Sequence, residues 1–390
     1  MQKIALLSYQ FWYNYGTCLQ AYALWYAINK MGETAEYLNF DWRYPTNLNI
    51  HYDNFWKYKI PPHRVLGEIK YRLKTYLRAV RYHYLREKLF RDFIYLGNSW
   101  RFDEFHRTFI RESMQISSHN IDEIENLYSK FIVGSDQVWN PDCCELQYYK
   151  RFLLDFINDS KKKISYASSI GKSKLDENTE ELLKEYLSKF DSISCRESTG
   201  CELLESILGR KVVQVLDPTL LLTPNDWRQI ARYKKSFRDS VVCYLLGSKE
   251  CIVEFAMKIA SEQNKRLIVV SASPNIIKKY AKYIASGIGP CEFLGLLDSC
   301  SCFITDSFHG TVFSINFNKV FYSFLKREGD YNTSDNSRII DVLAEFNLKE
   351  RFRNDNEDTY SLSIDYNEAN EILESKRQYS MAYLLDAIKS

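Results

Sequence analysis

The stretch Phe303-Ile304-Thr305-Asp306-Ser307-Phe308-His309-Gly310-Thr311 decides how this chain folds. An apolar run, Cys302–Thr305, ends in a polar turn, and helical spacing follows over Thr311–Phe317, with the helix opening at about Gly310. Strand, turn and helix in that order build a parallel sheet, because parallel neighbours need a covering crossover between them. The unit recurs on both sides. Downstream lie the run Val320–Phe324 and a helical pattern over Ser337–Phe346. Upstream, Val241–Leu246 and Leu267–Ser271 read as strands, and Lys249–Gln263 and Cys291–Ser299 as helices. The amino-terminal half repeats the theme. Strands are expected at Lys3–Ser8, Ala35–Phe40, Phe131–Val133, Lys163–Ala167, Ser192–Cys195 and Val212–Leu216. Helices are expected at Thr17–Met31, which Gly32 stops, at Glu177–Phe190 and at Thr199–Leu208. Asn367–Ala387 reads as a long amphipathic helix. The expected fold is α/β: two Rossmann-like domains facing a cleft, over 1–222 and 223–363, with a carboxyl-terminal helix over 364–390. The joint is expected within Asp217–Asn225, which holds two prolines. Between Arg43 and Ser117 the alternation stops, which implies a helical insert over about 43–117 in the first domain.

Composition agrees. A chain of 390 residues favours two domains. With 45% hydrophobic and 26% charged residues, disorder, collagen and coiled coil are excluded as the overall class. The net charge of +2 implies no polyelectrolyte partner for the whole chain, and no nucleic acid is expected. No apolar run reaches about 18 residues, so no membrane span is expected. The start, Met-Gln-Lys-Ile-Ala-Leu-Leu-Ser, lacks the features of a signal peptide. The ten Cys then suit a reducing, cytoplasmic compartment. Cys291, Cys300, Cys302 and His309 fit no standard zinc spacing, and no metal is expected. Residues 57–91 carry eleven Lys/Arg against two Asp/Glu, a local +9, leaving −7 for the rest. Within this window Leu66, Ile69, Leu73, Leu77, Val80, Tyr84 and Leu85 recur at helical spacing. Such a basic amphipathic helix suits peripheral contact with an anionic membrane, or a solvated face packed on the body of the protein.

The polar turn at Ser307–Thr311 is the strongest candidate site. A helix start at about Gly310 presents unpaired N–H groups, Ser307 and Thr311 add hydroxyls, and His309 adds a titratable donor. These make a cradle for phosphate or carboxylate; the alternative is plain capping by Asp306 or Ser307. Arg196 follows the run Ser192–Cys195 at a strand end and can grip an anion bidentately or pair with Glu197. Arg338 is a second cation. Gly134-Ser135-Asp136-Gln137-Val138-Trp139-Asn140 follows another strand. Asp136 can take a proton from a sugar hydroxyl or hold an Asx-turn. Trp139 can stack on a sugar ring or sit in the core. Tyr13-Asn14-Tyr15-Gly16-Thr17 falls short of a dinucleotide fingerprint, though Asn14, Tyr15 and Gln20 remain candidates for substrate contact.

Taken in order, Asn14-Tyr15-Gly16, Leu19-Gln20-Ala21-Tyr22-Ala23-Leu24, Phe131 through Asn140, Tyr166-Ala167-Ser168-Ser169-Ile170-Gly171, Arg196-Glu197, Val215-Leu216-Asp217-Pro218-Thr219-Leu220-Leu221 and Thr305 through Thr311 resemble the polysaccharide pyruvyl transferase family. The resemblance implies two Rossmann-like domains, as in B-type glycosyltransferases, the first holding the acceptor and the second the donor. It implies transfer of pyruvate from phosphoenolpyruvate to a sugar as a ketal, without cofactor, in capsule or other cell-envelope polysaccharide synthesis. The acceptor would be a polymer or its lipid-linked oligosaccharide precursor. By motif position, Arg196 and His309 would be the donor-binding cation and histidine, with Ser307, Gly310, Thr311 and Arg338 around the donor. Asn14, Tyr15, Gln20, Asp136, Gln137 and Trp139 would face the acceptor. Two other readings stay open on the sequence: a nucleotide-sugar glycosyltransferase of the same fold, and a non-catalytic glycan-binding assembly protein.

Overall fold

The computed structural model describes residues 3–10, 12–40, 86–116, 120–144, 146–326, 334–354 and 360–390. The strands are β1 (Lys3–Leu7), β2 (Ala35–Phe40), β3 (Glu112–Ile116), β4 (Tyr128–Val133), β5 (Lys162–Ser165), β6 (Ser194–Cys195), β7 (Val213–Gln214), β8 (Val241–Leu245), β9 (Leu267–Ser271), β10 (Cys302–Thr305), β11 (Phe321–Phe324) and β12 (Phe352–Arg353). They form two five-stranded sheets, ordered β3-β2-β1-β4-β5 and β12-β11-β10-β8-β9, and a small β6-β7 pair. Every pairing is parallel. Single bridges, Ile164↔Ser192 and Ser168↔Cys195, tie the small pair to the first sheet.

Parallel sheets are covered on both faces, so their strands read as continuous apolar runs. β8, Val-Val-Cys-Tyr-Leu, is buried at every position. Strand order reverses between β1 and β4 in the first sheet and between β8 and β10 in the second. Crevices at such switch points, beyond the carboxyl ends of the strands, are where ligands bind in open α/β sheets.

The helices that shape these crevices are α1 (Tyr15–Lys30), α2 (Arg86–Phe109), α3 (Ser198–Leu208), α4 (Pro218–Leu221), α5 (Pro290–Ser299), α6 (Phe308–Asn316), α7 (Ser334–Glu345) and α8 (Asn367–Lys389). One hydrophobic core runs through both halves. Tyr15 of α1 stacks on Phe293 of α5 with ring centres 4.6 Å apart, and its hydroxyl donates to the Ile288 carbonyl. Trp227 meets Phe313 of α6 edge-on and lies 5.7 Å from Tyr22 of α1. α8 returns to the first sheet, where the Ser380 hydroxyl accepts from the Leu216 amide and the Tyr383 hydroxyl donates to the Ser165 carbonyl. Two further clusters fill the outer faces of the sheets. All ten cysteines are free thiols. Among the described residues, no helix is long and apolar enough to cross a membrane.

The alternation does not stop throughout 43–117. α2 and β3 lie inside that range, and β3 continues the first sheet by pairing with β2, Phe40 against Ile116. As an edge strand, Glu-Ser-Met-Gln-Ile buries only Ile116, so it carries no apolar run to be read. Most of the basic window, through Leu85, lies outside the described residues; Arg86–Arg91 belong to α2. α6 opens at Phe308 rather than near Gly310, because Ser307 supplies the cap.

Candidate active site

The centre of the site is Asp217. It caps α4: Oδ1 accepts from the Thr219 amide at 2.9 Å and from its hydroxyl at 2.7 Å, and Pro218 takes the first helical position, where no amide is needed. That fixes the carboxylate and turns Oδ2 toward three partners. Arg196 Nη1 donates at 2.8 Å, the Ser135 hydroxyl donates at 3.3 Å, and His309 Nε2 lies 3.6 Å away. Burial alone would raise the Asp217 carboxyl, but His309 and Arg196 beside it hold it well below the usual carboxylate range.

Arg196 leaves the end of β6 with its amide donating to the Ser168 carbonyl. Its Nε donates to Glu197 Oε1 at 3.2 Å, and the same oxygen accepts from the Ser169 hydroxyl. The guanidinium lies 4.4 Å from the Phe308 ring centre. Burial works against its charge, yet Glu197, Asp217 and Asp136 together raise its pKa, so Arg196 stays a cation. Its Nη2 and His309 Nε2 are buried without a hydrogen-bond partner. His309 comes from the first turn of α6 and meets α1 of the other half. A Cβ on Gly16 would stand 2.1 Å from His309 Nδ1, so only glycine lets the imidazole sit there.

Beyond β4, the chain at Asp136 has φ of 74° and bridges to Ser168. Asp136 Oδ2 accepts from the Thr17 hydroxyl of α1 at 2.8 Å, and Oδ1 from the Gln137 amide at 2.9 Å. With its oxygen turned toward α7, the Gln137 side chain accepts from both terminal nitrogens of Arg338, at 2.7 and 2.9 Å. Arg338 also lies 5.8 Å from the Phe308 ring centre.

The structure thus brings His309, Arg196, Asp136, Gln137 and Arg338 to one place, from α6, the end of β6, the loop after β4 and α7. Other candidates are assigned differently. Trp139 is fully buried, its indole donates to the Phe152 carbonyl, and its ring meets Phe190 edge-on, so it cannot stack on a sugar. Gln20 is buried and spent: it donates to the Ser8 hydroxyl and the Thr17 carbonyl and accepts from the Ser135 amide. Tyr15 joins the two halves. Asn14 caps α1 by accepting from the Thr17 amide. Around α6, the Ser307 hydroxyl takes the Gly310 amide and the Ser307 carbonyl takes the Thr311 amide and hydroxyl. Gly310 is small because a Cβ would stand 2.5 Å from Thr305 Oγ1. Of that cradle, the amides of Phe308 and His309 are the ones without an intrahelical acceptor. Asp306 ties β10 to β8, accepting from the Leu246 and Gly247 amides at 2.7 Å each.

Sequence reasoning missed two members, Asp217 and Thr17; Glu197 pairs with Arg196 as its alternative reading had it. The Asp-Pro pair at 217–218 is a legible helix start, but that its second oxygen joins Arg196 to His309 follows only from tertiary contact.

Solved structures share this architecture at low identity. The UDP-GlcNAc 2-epimerase from Neisseria meningitidis bound to UDP-GlcNAc superimposes with a TM-score of 0.50 at 10% identity, covering 99% of this chain and 100% of that one. The UDP-GlcNAc 2-epimerase from Methanocaldococcus jannaschii gives 0.48 at 11%, with 95% and 91% covered. An α-glucosyltransferase in complex with UDP and a 13-mer DNA gives 0.48 at 10%, with both chains fully covered. At 10% identity the likeness to the Neisseria enzyme speaks for the fold alone, two Rossmann-like domains. No curated protein matches the sequence. The profile of one family does, over residues 14–325, the span that holds Gly16, Asp136, Arg196, Asp217 and His309. The chain belongs to the polysaccharide pyruvyl transferase family, and is a transferase of polysaccharide biosynthesis.

Proposed function

We propose that the protein transfers pyruvate from phosphoenolpyruvate to two hydroxyls of one sugar, forming a ketal on a cell-surface polysaccharide or its lipid-linked precursor. One observation carries the reading of the donor: beside a helix start, Arg196 Nη2 is buried without a hydrogen bond, and so is His309 Nε2, whose nearest charge is Asp217 at 3.6 Å. Phosphoenolpyruvate has a carboxylate and a phosphate, and so needs two anion holders. Arg196 with Arg338 supplies one, and the Phe308 and His309 amides supply the other.

The chemistry balances on these groups. Protonation of the donor's methylene carbon makes a methyl group and leaves positive charge on the ester carbon. One sugar hydroxyl attacks that carbon and gives up its proton. The carbon–oxygen bond to phosphate then breaks, the second hydroxyl attacks, and inorganic phosphate leaves with the second proton. His309 is the acid, oriented by Asp217. Asp136 is the base for the attacking hydroxyl, held by Thr17 and the Gln137 amide. No metal or nucleotide enters this scheme. The place of action we propose is the cytoplasmic face of the membrane, reached through the basic segment of residues 57–91.

The test is phosphate release from phosphoenolpyruvate against galactosides, mannosides and glucosides, free and lipid-linked. The expected result is acceptor-dependent phosphate and a product heavier by one pyruvate ketal. Turnover with a nucleotide sugar and release of nucleotide instead would overturn the reading. Binding without turnover on any acceptor would overturn it too.

A further inference from the structure

With Trp139 assigned to the interior, its ring offers the saccharide acceptor no aromatic surface. The loop between β1 and α1 has one. Trp12 is 42% exposed and Tyr13 is 51% exposed, two large rings side by side in sequence at the carboxyl end of a strand that borders the switch point. Exposed apolar rings on a loop beside a crevice need a reason.

Both rings are held from behind. Trp12 lies against Tyr9 with centres 4.6 Å apart, and Tyr9 is buried between Trp12 and Phe152, also at 4.6 Å. The backbone is tied as well: the Trp12 amide donates to the Tyr9 carbonyl, and its carbonyl accepts from the Asn14 amide and the Cys18 thiol. Tyr13 leans on Phe102 of α2 and its hydroxyl donates to Asp103 at 2.7 Å. The loop also leads into the catalytic groups from two sides. Past Asn14, Thr17 holds Asp136. Past Tyr9, whose hydroxyl meets Cys144 at 3.5 Å, Cys143 lies 3.7 Å from the Gln137 amide.

We infer that Trp12 and Tyr13 form the platform on which a pyranose ring of the acceptor stacks, so that its hydroxyls face Asp136. The inference rests on the reading of a saccharide acceptor above. A sugar suits the place chemically: its C–H face packs on an aromatic ring fixed in advance, which costs little conformational entropy, while its rim hydroxyls meet Asp136 and Gln137.

The test uses the full-length protein with methyl β-galactoside, methyl α-mannoside and methyl β-glucoside, followed by saturation-transfer NMR, with phosphoenolpyruvate binding followed by calorimetry. At least one glycoside should bind, with saturation passing from aromatic protons. Trp12→Ala should weaken it roughly tenfold, the loss of one good ring contact. Trp12→Phe should restore most of the affinity, Tyr13→Ala should weaken it less, and phosphoenolpyruvate binding should not move. Absence of glycoside binding by the wild type, or unchanged binding by Trp12→Ala, overturns the platform. Loss of phosphoenolpyruvate binding in the same variant also overturns it, since the loop would then be structural. If glycosides bind through Trp12 but no phosphate is ever released, the pyruvyl-transfer reading fails and the platform stands.

Discussion

The loops after β4 and β10 leave their sheets at the two switch points, yet they use their polar residues differently. After β10, Asp306, Ser307 and Thr311 are consumed in holding the turn and opening α6, and one group, His309, is left to reach out. After β4, Asp136 and Gln137 reach across, to α1 and to α7 respectively. One loop builds a rigid mount for a single imidazole; the other is a bridge whose groups are positioned by distant elements. A dense polar motif is therefore mostly scaffold, and its chemistry lies in whichever group the scaffold leaves unsatisfied.

The sharpest way to break this contrast is to remove what the mount presents. His309→Ala and Arg196→Ala should each cut phosphate release by at least about a hundredfold, the scale of losing an oriented acid or cation. Arg196→Lys should recover little, because an ammonium cannot reproduce the fork to Asp217 and Glu197. Taking one partner from a buried ion pair also costs about 3–5 kcal/mol of stability, so circular dichroism must show the alanine variant folded. Near-normal turnover in a folded variant removes that residue from the site.

Asp217→Asn tests the joint between the two. It should lower turnover by about ten- to a hundredfold, since His309 loses its orienting charge. It should also change acid stability. A carboxyl held low in the folded protein contributes stability that is present above its unfolded pKa of about 3.9 and lost as pH falls through the folded value. Below that pH the wild-type urea midpoint should fall more steeply than the variant's; parallel curves would deny the pairing.

On the bridge side, Asp136→Asn should leave phosphoenolpyruvate binding intact and cost up to about a hundredfold in rate. An unchanged rate would make Asp136 another scaffold group, and the two loops alike. The smallest effect on turnover is expected from the basic segment. Each Lys or Arg near an anionic leaflet contributes on the order of 1 kcal/mol, so changing Arg72, Lys74, Arg78 and Arg81 together to Gln should weaken vesicle binding at low salt. Turnover on a short soluble glycoside should hold. A wild type that ignores anionic vesicles ends the membrane proposal.

Strands buried on both faces, such as Val241–Leu245, were legible because a parallel sheet demands unbroken apolar runs. β3 was not, because a half-exposed edge carries no such demand. In the site, His309 and Arg196 stood out as charge-bearing groups at strand ends. Asp217 did not, because its visible job is to cap α4 and its other oxygen meets residues that only folding brings near. Trp139 misled because local sequence cannot say which way a ring turns; its indole N–H found a carbonyl inside.

The return of α8 to the first sheet has a consequence for how the protein is made. Tyr383 reaches Ser165 across 218 residues of sequence, and a ribosome adds about 5–20 residues per second. The edge of the first sheet therefore waits roughly 10–40 s after its own synthesis before α8 can cover it. During that interval the nascent chain presents β-structure with part of its apolar face open, and that is the window in which a chaperone would have to act.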